Sequence, residues 1–260
     1  MKIIKNLTGH SGSIVQLIEN DKKKVVRKTK NIERNLEKYE SLKKLNILCP
    51  KIINRNNNYY EMEYINGINM QHYLLNYGSK DLIIFIENLL NKLNKNVKEK
   101  DFSDAYIIKL KNFNYKKYNL NFEFEDIFDK LPKKIFSSEY LGDLTLENIL
   151  YDVNKNNFFI IDQSITEYDS YVFDIAKLKQ DTVCKWFIRN DLINLDKELN
   201  EINIALSKYE YYNNDYLLII MLMRVLPYCK KYEDVAFLKD NINLLWSKLE
   251  QKDSNFQPPD

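Results

Sequence analysis

The first 66 residues alternate short apolar runs with polar and asparagine-rich segments. Four of these runs are β-prone, and they come in two pairs that are each joined by a polar turn. Between the pairs, apolar residues recur at helical spacing from Ile32 to Leu45, and Pro50 then requires an extended chain. The pattern predicts a small sheet of two hairpins crossed by one helix. The predicted strands are residues 14–18, 25–28, 52–53 and 59–65.

The pattern becomes mainly helical after Gly67, with one exception. Residues 149–161 predict a further hairpin, because two apolar runs flank a turn of lysine and asparagines. The apolar run at 216–223 predicts a buried helix, since about 20 residues are needed to span a membrane. Residues 94–134 are polar, rich in lysine and asparagine, and without a clear period. The predicted helical segments are residues 68–77, residues 81–93 and those from Phe173 to Leu249.

Together these patterns predict an α+β protein with two lobes. Residues 1–66 would form a small N-terminal lobe of sheet and helix, and residues 67–256 a larger, mainly helical C-terminal lobe. We expect the connector near residues 64–69 and a frayed tail at residues 257–260.

The composition changes this picture only by exclusion. Apolar residues make up 45% of the 260 positions, which is enough for a sizeable core. The formal net charge is +2 and the basic residues are spread along the chain, so we expect neither a nucleic-acid partner nor a membrane. Three distant cysteines and two histidines predict reduced thiols and no zinc site. We therefore expect a cytoplasmic location without a signal peptide.

Three side chains around the predicted hairpin carry a possible chemistry. Asp143 is followed by Asn148, and Asp162 comes directly after the hairpin. Phosphoryl transfer needs a carboxylate that accepts the proton of an attacking hydroxyl, and oxygen ligands for a phosphate-bound Mg²⁺. Asp143 suits the first task, and Asn148 and Asp162 suit the second because the hairpin returns the chain to one place. The simpler alternative is that all three are turn residues, since Asp and Asn favour turns.

This segment resembles the catalytic loop of aminoglycoside phosphotransferases and choline-kinase-like enzymes, which are small-molecule kinases with a protein-kinase-like fold. Their loop reads His-Gly-Asp, four further residues, Asn, and then a hairpin that ends in a metal-binding Asp. The chain has Gly142, Asp143, Asn148 and Asp162 at these positions. It departs from the pattern at Leu141, where the family has a histidine that buttresses the loop. The resemblance implies the protein-kinase-like two-lobed fold.

The resemblance extends into the small lobe and implies a nucleotide site there. Residues 8–13 hold two of the five glycines and resemble the loop that covers the nucleotide. Residues 25–28 resemble the strand that carries a phosphate-binding lysine, and residues 61–67 resemble the hinge beside the adenine. The implied nucleotide contacts are Gly9, Ser11, Gly12, Ser13, Lys28, Glu37, Met62, Glu63 and Ile65.

Two of these assignments have competing neighbours. Lys28 is favoured because strand alternation directs it towards the cleft, and Glu37 on the following helix is its expected partner. The competing residues are Arg27 and Lys30 for the lysine, and Glu33 and Glu40 for the glutamate. Further along, Asp174 lies in a segment that resembles the Asp-x-Ala motif of the family. We expect Asp174 to cap a helix or to brace the loop.

The resemblance implies an enzyme that transfers the γ-phosphate of ATP to a hydroxyl of a small molecule, with Mg²⁺ as cofactor. The acceptor would be a sugar, an aminoglycoside-like compound or an amino alcohol such as choline, and GTP is an alternative donor because hinge contacts are mostly backbone. The sequence favours neither a monomer nor a dimer. The alternative is a pseudokinase that binds a nucleotide or a partner without turnover, as Leu141 would favour. A protein kinase is less favoured, because no Ala-Pro-Glu segment is present.

Overall fold

The structure, a computed structural model, describes residues 2–7, 14–20 and 23–255. Within these ranges, five strands form one antiparallel sheet, and a helix follows the third of them. These elements are β1 (Lys2–Leu7), β2 (Val15–Asn20), β3 (Lys23–Lys28), α1 (Ile32–Lys44), β4 (Ile52–Arg55) and β5 (Tyr60–Glu63). The strands lie in the order β1-β2-β3-β5-β4.

The register of this sheet explains both its small core and the position of one lysine. Leu17, Val26 and Met62 lie directly opposite one another on β2, β3 and β5, and all three are buried. Residues of α1 pack against this apolar row. Because side chains alternate along a strand, Lys28 shares the face of Val26 and lies opposite Tyr60.

The rest of the chain is mainly helical. Its strands are β6 (Ile68–Asn69), β7 (Lys98–Asp101), β8 (Lys134–Ser137), β9 (Ile149–Asp152) and β10 (Asn157–Ile160). Its helices are α2 (Met70–Tyr77), α3 (Lys80–Leu93), α4 (Ser103–Leu110), α5 (Phe124–Lys130), α6 (Tyr171–Thr182), α7 (Asp196–Leu206), α8 (Asp215–Val225) and α9 (Tyr232–Asn255). The chain leaves the first sheet after Glu63 and enters a second one, β6-β9-β10, at Ile68, which is where the connector is predicted.

The predicted α+β class is confirmed, and so are the hairpin of β9 and β10 and the buried helix α8. Two details were wrong. Residues 68–69 pair with β9 and are not helical, and β1 lies at the sheet edge where no strand was predicted. Strand β6 depends on a pairing partner distant in sequence, which local pattern does not contain, and β1 is an edge strand whose residues are almost all exposed. No helix in the described ranges is long and apolar enough to cross a membrane.

The helix α1 joins the first sheet to the helical part through a buried cation. Lys38 is 5% exposed, and its Nζ lies 3.2 Å from the centroid of the Tyr140 ring. One turn further on, Ser41 donates a hydrogen bond to Glu139 at 3.0 Å. Burial lowers the pKa of Lys38 to about 8, although Asp174 and Glu139 act in the opposite direction.

This shifted pKa predicts a pH-dependent stability. Between the folded pKa of about 8 and the ordinary value of 10.5, the unfolded chain binds more protons at Lys38 than the folded chain does. Stability relative to Lys38→Met should therefore rise, by about 1–2 kcal/mol between about pH 7.5 and about pH 9.5. Denaturant unfolding of both proteins at the two pH values measures this difference.

Lys43→Met is the matched control, because Lys43 lies on the same helix with its side chain 72% exposed. Its stability difference from the unsubstituted protein should change much less over this range. Parallel pH curves for Lys38→Met and the unsubstituted protein would contradict the shifted pKa.

Candidate active site

The loop from Leu141 to Asn148 is held by one face of α6. Asp174 and Asp181 lie on this face, about two turns apart, with Lys177 between them. The Asp174 carboxylate accepts backbone N–H groups of the loop at 2.5, 2.9 and 3.4 Å, and Asp181 accepts one more at 2.6 Å. The donors are Leu141, Gly142 and Leu144 for Asp174, and Leu146 for Asp181.

Asp174 therefore braces the loop and does not cap its helix. The cap of α6 is Ser170, whose hydroxyl accepts the N–H of Val172 at 3.2 Å. Burial raises the pKa of Asp174 to about 6, against the opposing effect of the loop N–H groups and Lys38. The carboxylate stays largely ionised at neutral pH because the loop supplies its hydrogen bonds.

Asp181 accepts fewer hydrogen bonds from the loop than Asp174 does. It is fully buried, and its Oδ1 has no hydrogen-bond partner in the described part of the chain. Burial raises the pKa of Asp181 well above the ordinary value, and the nearby Glu147 adds to this effect. Burial thus shifts Asp181 towards its protonated form more strongly than the N–H group of Leu146 opposes it.

Asp143 emerges from the braced loop with its side chain 37% exposed. The Nζ of Lys177 lies 3.0 Å from its Oδ1, and the Asn148 amide donates to its backbone carbonyl at 2.9 Å and to its Oδ2 at 3.2 Å. Burial alone would raise the pKa of Asp143, but Lys177 and Arg224 outweigh it and lower the pKa below its ordinary value. Asp143 is therefore ionised at neutral pH and able to accept a hydrogen bond from a hydroxyl.

The segment after the hairpin packs directly on this loop. Gly142 has a φ of +82°, and a Cβ built there would lie 2.2 Å from the carbonyl oxygen of Ser164. The N–H of Ser164 donates to the backbone carbonyl of Leu141, and the N–H of Ile161 donates to the backbone carbonyl of Asn148, both at 2.9 Å. These contacts fix Asp162, which lies between Ile161 and Ser164, relative to Asp143.

Lys28 meets Asp162 in an ion pair that joins β3 to the end of the hairpin. The lysine side chain is 9% exposed and the carboxylate is 51% exposed, so the pair opens to solvent on the Asp162 side. The sheet register described above directs Lys28 to this point. Of the predicted residues, the structure thus brings together Asp143, Asn148, Asp162 and Lys28.

The structure does not bring Glu37 to Lys28. Glu37, Glu33 and Glu40 are all exposed. The face of α1 that turns inward carries Lys38, Tyr39 and Leu42. In this structure the position expected for a glutamate beside Lys28 is taken by Asp162.

The predicted hinge residues lie on and after β5. Met62 and Ile65 are buried. Glu63 donates its N–H to the Lys51 carbonyl at 2.8 Å, and its carboxylate pairs with Lys155 of the β9–β10 turn at 2.8 Å. Gly9, Ser11, Gly12 and Ser13, the remaining predicted contacts, lie outside the described residues.

Lys177, Asp181 and Arg224 were not predicted from the sequence as parts of the site. A lysine on a helix is usually solvated, so nothing marked Lys177 as buried. The signal in the sequence was the spacing of Asp174, Lys177 and Asp181, which follow one another at three and four residues in a predicted helix. In the structure every residue of α6 is buried.

Asn148 and Asp162 fit a divalent cation that is shared with phosphates. Mg²⁺ usually keeps several waters and takes only one or two protein carboxylates beside phosphate oxygens. Asp162 offers an exposed carboxylate, and the Asn148 amide donates to Asp143, which leaves its oxygen free to bind a cation. The described residues contain no cluster of three or more acidic, histidine or cysteine side chains able to cage a metal.

The fold is similar to that of solved small-molecule kinases. A thermostable mutant of the aminoglycoside phosphotransferase APH(4)-Ia has a TM-score of 0.60 at 9% identity over 94% of each chain. The choline kinase of Cryptosporidium parvum Iowa II has a TM-score of 0.59 at 14% identity, over 98% of this chain and 91% of that one. The ethanolamine kinase of Plasmodium vivax has a TM-score of 0.56 at 14% identity, over 94% and 81%.

These similarities confirm the predicted protein-kinase-like fold, with its small sheet lobe and larger helical lobe. At such low identities they establish the fold alone. No protein-family model matches the chain, and no curated protein sequence matches it.

The contact at Gly142 predicts a severe effect of the smallest side chain. Gly142→Ala combines a positive φ with a Cβ placed 2.2 Å from the Ser164 carbonyl oxygen, so the loop or the segment after Asp162 must move. Gly78→Ala is the matched control, because Gly78 also has a positive φ (+74°) but nothing within 4 Å of its Cβ.

Gly78→Ala should cost about 1–3 kcal/mol of stability, the usual cost of a strained backbone conformation. Gly142→Ala should cost clearly more in the same denaturant titration. Equal costs would mean that the close contact with Ser164 does not constrain the loop.

Proposed function

We propose that this protein is a small-molecule kinase that transfers the γ-phosphate of ATP or GTP to an acceptor hydroxyl with the help of Mg²⁺. The observation that carries the proposal is the ionised Asp143, fixed by α6 and tied through the hairpin to Asp162 and Lys28. The fold shared with solved small-molecule kinases supports it. We further propose that residues 1–66 bind the nucleotide and residues 67–256 bind the acceptor.

Asp143 would accept the proton of the acceptor hydroxyl. As the O–H bond breaks, the hydroxyl oxygen forms a bond to the γ-phosphorus, and the bond from that phosphorus to the nucleoside diphosphate breaks. A carboxylate with a lowered pKa is a weak base, which suits a loose transition state in which positioning matters more than base strength. Lys177 would act as a positioning residue that holds the Asp143 carboxylate in one orientation.

The ion pair between Lys28 and Asp162 suits an exchange of partners when a nucleotide arrives. A phosphate would replace Asp162 as the partner of Lys28, and Asp162 would be free to hold the metal together with Asn148. Mg²⁺ would neutralise phosphate charge there. Met62, Glu63 and Ile65 would border the adenine, and the glycine-containing segment of residues 8–13 would cover the phosphates, as the family resemblance implies.

A pseudokinase is the second candidate, because Glu37 is exposed and does not pair with Lys28. Such a protein would bind nucleotide without turnover. In either case we expect a cytoplasmic protein, since the cysteines Cys49, Cys184 and Cys229 are all free thiols.

The direct test is acceptor-dependent release of ADP or GDP. The purified protein with Mg²⁺ is assayed against sugars, amino sugars and amino alcohols, with hydrolysis in the absence of acceptor as the blank. We expect turnover well above the blank with at least one acceptor. Nucleotide binding without turnover on any acceptor would favour the pseudokinase.

Asp143→Asn should lower acceptor-dependent turnover by about 10²-fold or more, the scale of a lost general base, and leave nucleotide binding intact. Asp104→Asn, an exposed carboxylate on α4, is the matched control and should leave turnover unchanged. Full activity of the Asp143 variant would rule out its assigned role.

Lys28→Met should weaken nucleotide binding with little change in unliganded stability, because Asp162 is half-exposed and solvent screens its loss of a partner. The melting-temperature rise given by ATP with Mg²⁺ should shrink, because each tenfold loss of affinity removes about 1.4 kcal/mol of the stabilisation that the ligand provides. Lys23→Met, an exposed lysine at the start of the same strand, should retain the full rise. If both variants retain it, the phosphate site is not at Lys28.

A further inference from the structure

Arg224 is a cation near Asp143 whose hydrogen-bonding capacity the protein leaves almost unused. It lies at the end of α8 and is half-buried. Its Nη1 donates to the Met221 sulfur at 3.2 Å, and its Cζ lies 5.4 Å from the centroid of the Tyr168 ring. A thioether is a weak acceptor, whereas a guanidinium carries five N–H donors. Among the described residues, Arg224 has no carboxylate or carbonyl partner.

Other buried or half-buried cations of the helical lobe are satisfied. Lys177 holds Asp143, Lys179 holds Asp215, and Arg189 binds Asp234 at 2.7 Å. An unpaired cation in partly buried surroundings is costly unless a ligand or water completes it. Arg224 is therefore placed to receive an anion from outside the chain.

Arg224 also lies within electrostatic reach of Asp143, since it is the second cation that lowers the pKa of that carboxyl, while Lys177 makes the ion pair with it at 3.0 Å. The carboxylates on either side of Tyr168, whose ring Arg224 contacts, have cationic partners of their own: Glu167 pairs with Lys109 at 2.9 Å, and Asp169 pairs with Lys100 at 2.7 Å.

We propose that Arg224 binds an anionic group of the acceptor, a carboxylate or a phosphate, while the reacting hydroxyl lies at Asp143. The inference rests on the proposed function and narrows its substrate class to hydroxy compounds that carry a negative charge. A guanidinium suits this task because its planar donors match a carboxylate or phosphate in a bidentate arrangement.

The test uses acceptors that share a carbon skeleton and differ in one substituent, which is anionic, neutral or cationic. One set is glycerate, glycerol and 3-amino-1,2-propanediol, and the other is glucuronate, glucose and glucosamine. We expect the anionic member of at least one set to have the highest kcat/KM. Arg224→Gln should lower kcat/KM for that anion by about 10- to 100-fold more than for the neutral member of the same set, the scale of a lost charge-assisted hydrogen bond.

Two further variants make the result specific. Arg224→Lys keeps the charge and should retain part of the preference for the anion, which also serves if Arg224→Gln folds poorly. Arg55→Gln removes an exposed arginine of β4 and should change nothing. A preference for neutral or cationic acceptors would overturn the inference. The inference would also be overturned if Arg224→Gln raised the KM for ATP and affected all acceptors equally. That result would place Arg224 at the nucleotide.

A binding measurement separates this inference from the proposed function. The melting temperature is measured with glycerate or glucuronate alone, against glycerol or glucose, for the unsubstituted protein and Arg224→Gln. Stabilisation by the anions that Arg224→Gln abolishes supports an anion site even if no acceptor is turned over. Absence of any anion effect in both turnover and binding overturns the inference, whereas turnover on other acceptors would leave the kinase proposal standing.

Discussion

The candidate site depends on a buried carboxylate that gathers backbone N–H groups. Asp174 takes three of them from the loop that carries Asp143, and it does so from inside a helix with no exposed residue. A buried charge is tolerated only where hydrogen bonds replace its hydration, so the loop and α6 stabilise each other. If the loop moved away, Asp174 would lose its donors. This mutual dependence restricts the loop to one geometry, and every other contact of the site starts from that geometry.

The same carboxylate connects the two lobes electrostatically. Lys38 of α1 acts on Asp174 and lies against Tyr140, the residue just before the loop. The small-lobe helix therefore docks onto the segment that leads into the loop, with a cation whose charge is only partly compensated. From the other side, the ion pair between Lys28 and Asp162 closes the connection. Sheet, helix and loop are thus connected through charged side chains.

The sequence contained the parts of this assembly that depend on local spacing. The order Asp143, Asn148, hairpin, Asp162 follows from adjacent residues, and the side of β3 that holds Lys28 follows from strand alternation. The exposure of Glu37 does not follow from local spacing, because it depends on which face of α1 turns inward. The inward face is the one that carries the buried Lys38. The role of Lys177 was equally hidden, since only the packing of α6 against the loop distinguishes it from a solvated lysine. Strand β6 required knowledge of its partner β9.

The absence of a side chain at position 142 has a consequence for how such a protein can change. The carbonyl oxygen of Ser164 occupies the space that any larger residue would need, so the loop before the hairpin and the segment after it are mechanically coupled. An alteration that repositions Asp143 therefore also displaces Asp162, whose carboxylate pairs with Lys28 of the small lobe. Substitutions in the helices after α6 leave this contact untouched, so sequence change there costs less than sequence change at the hairpin.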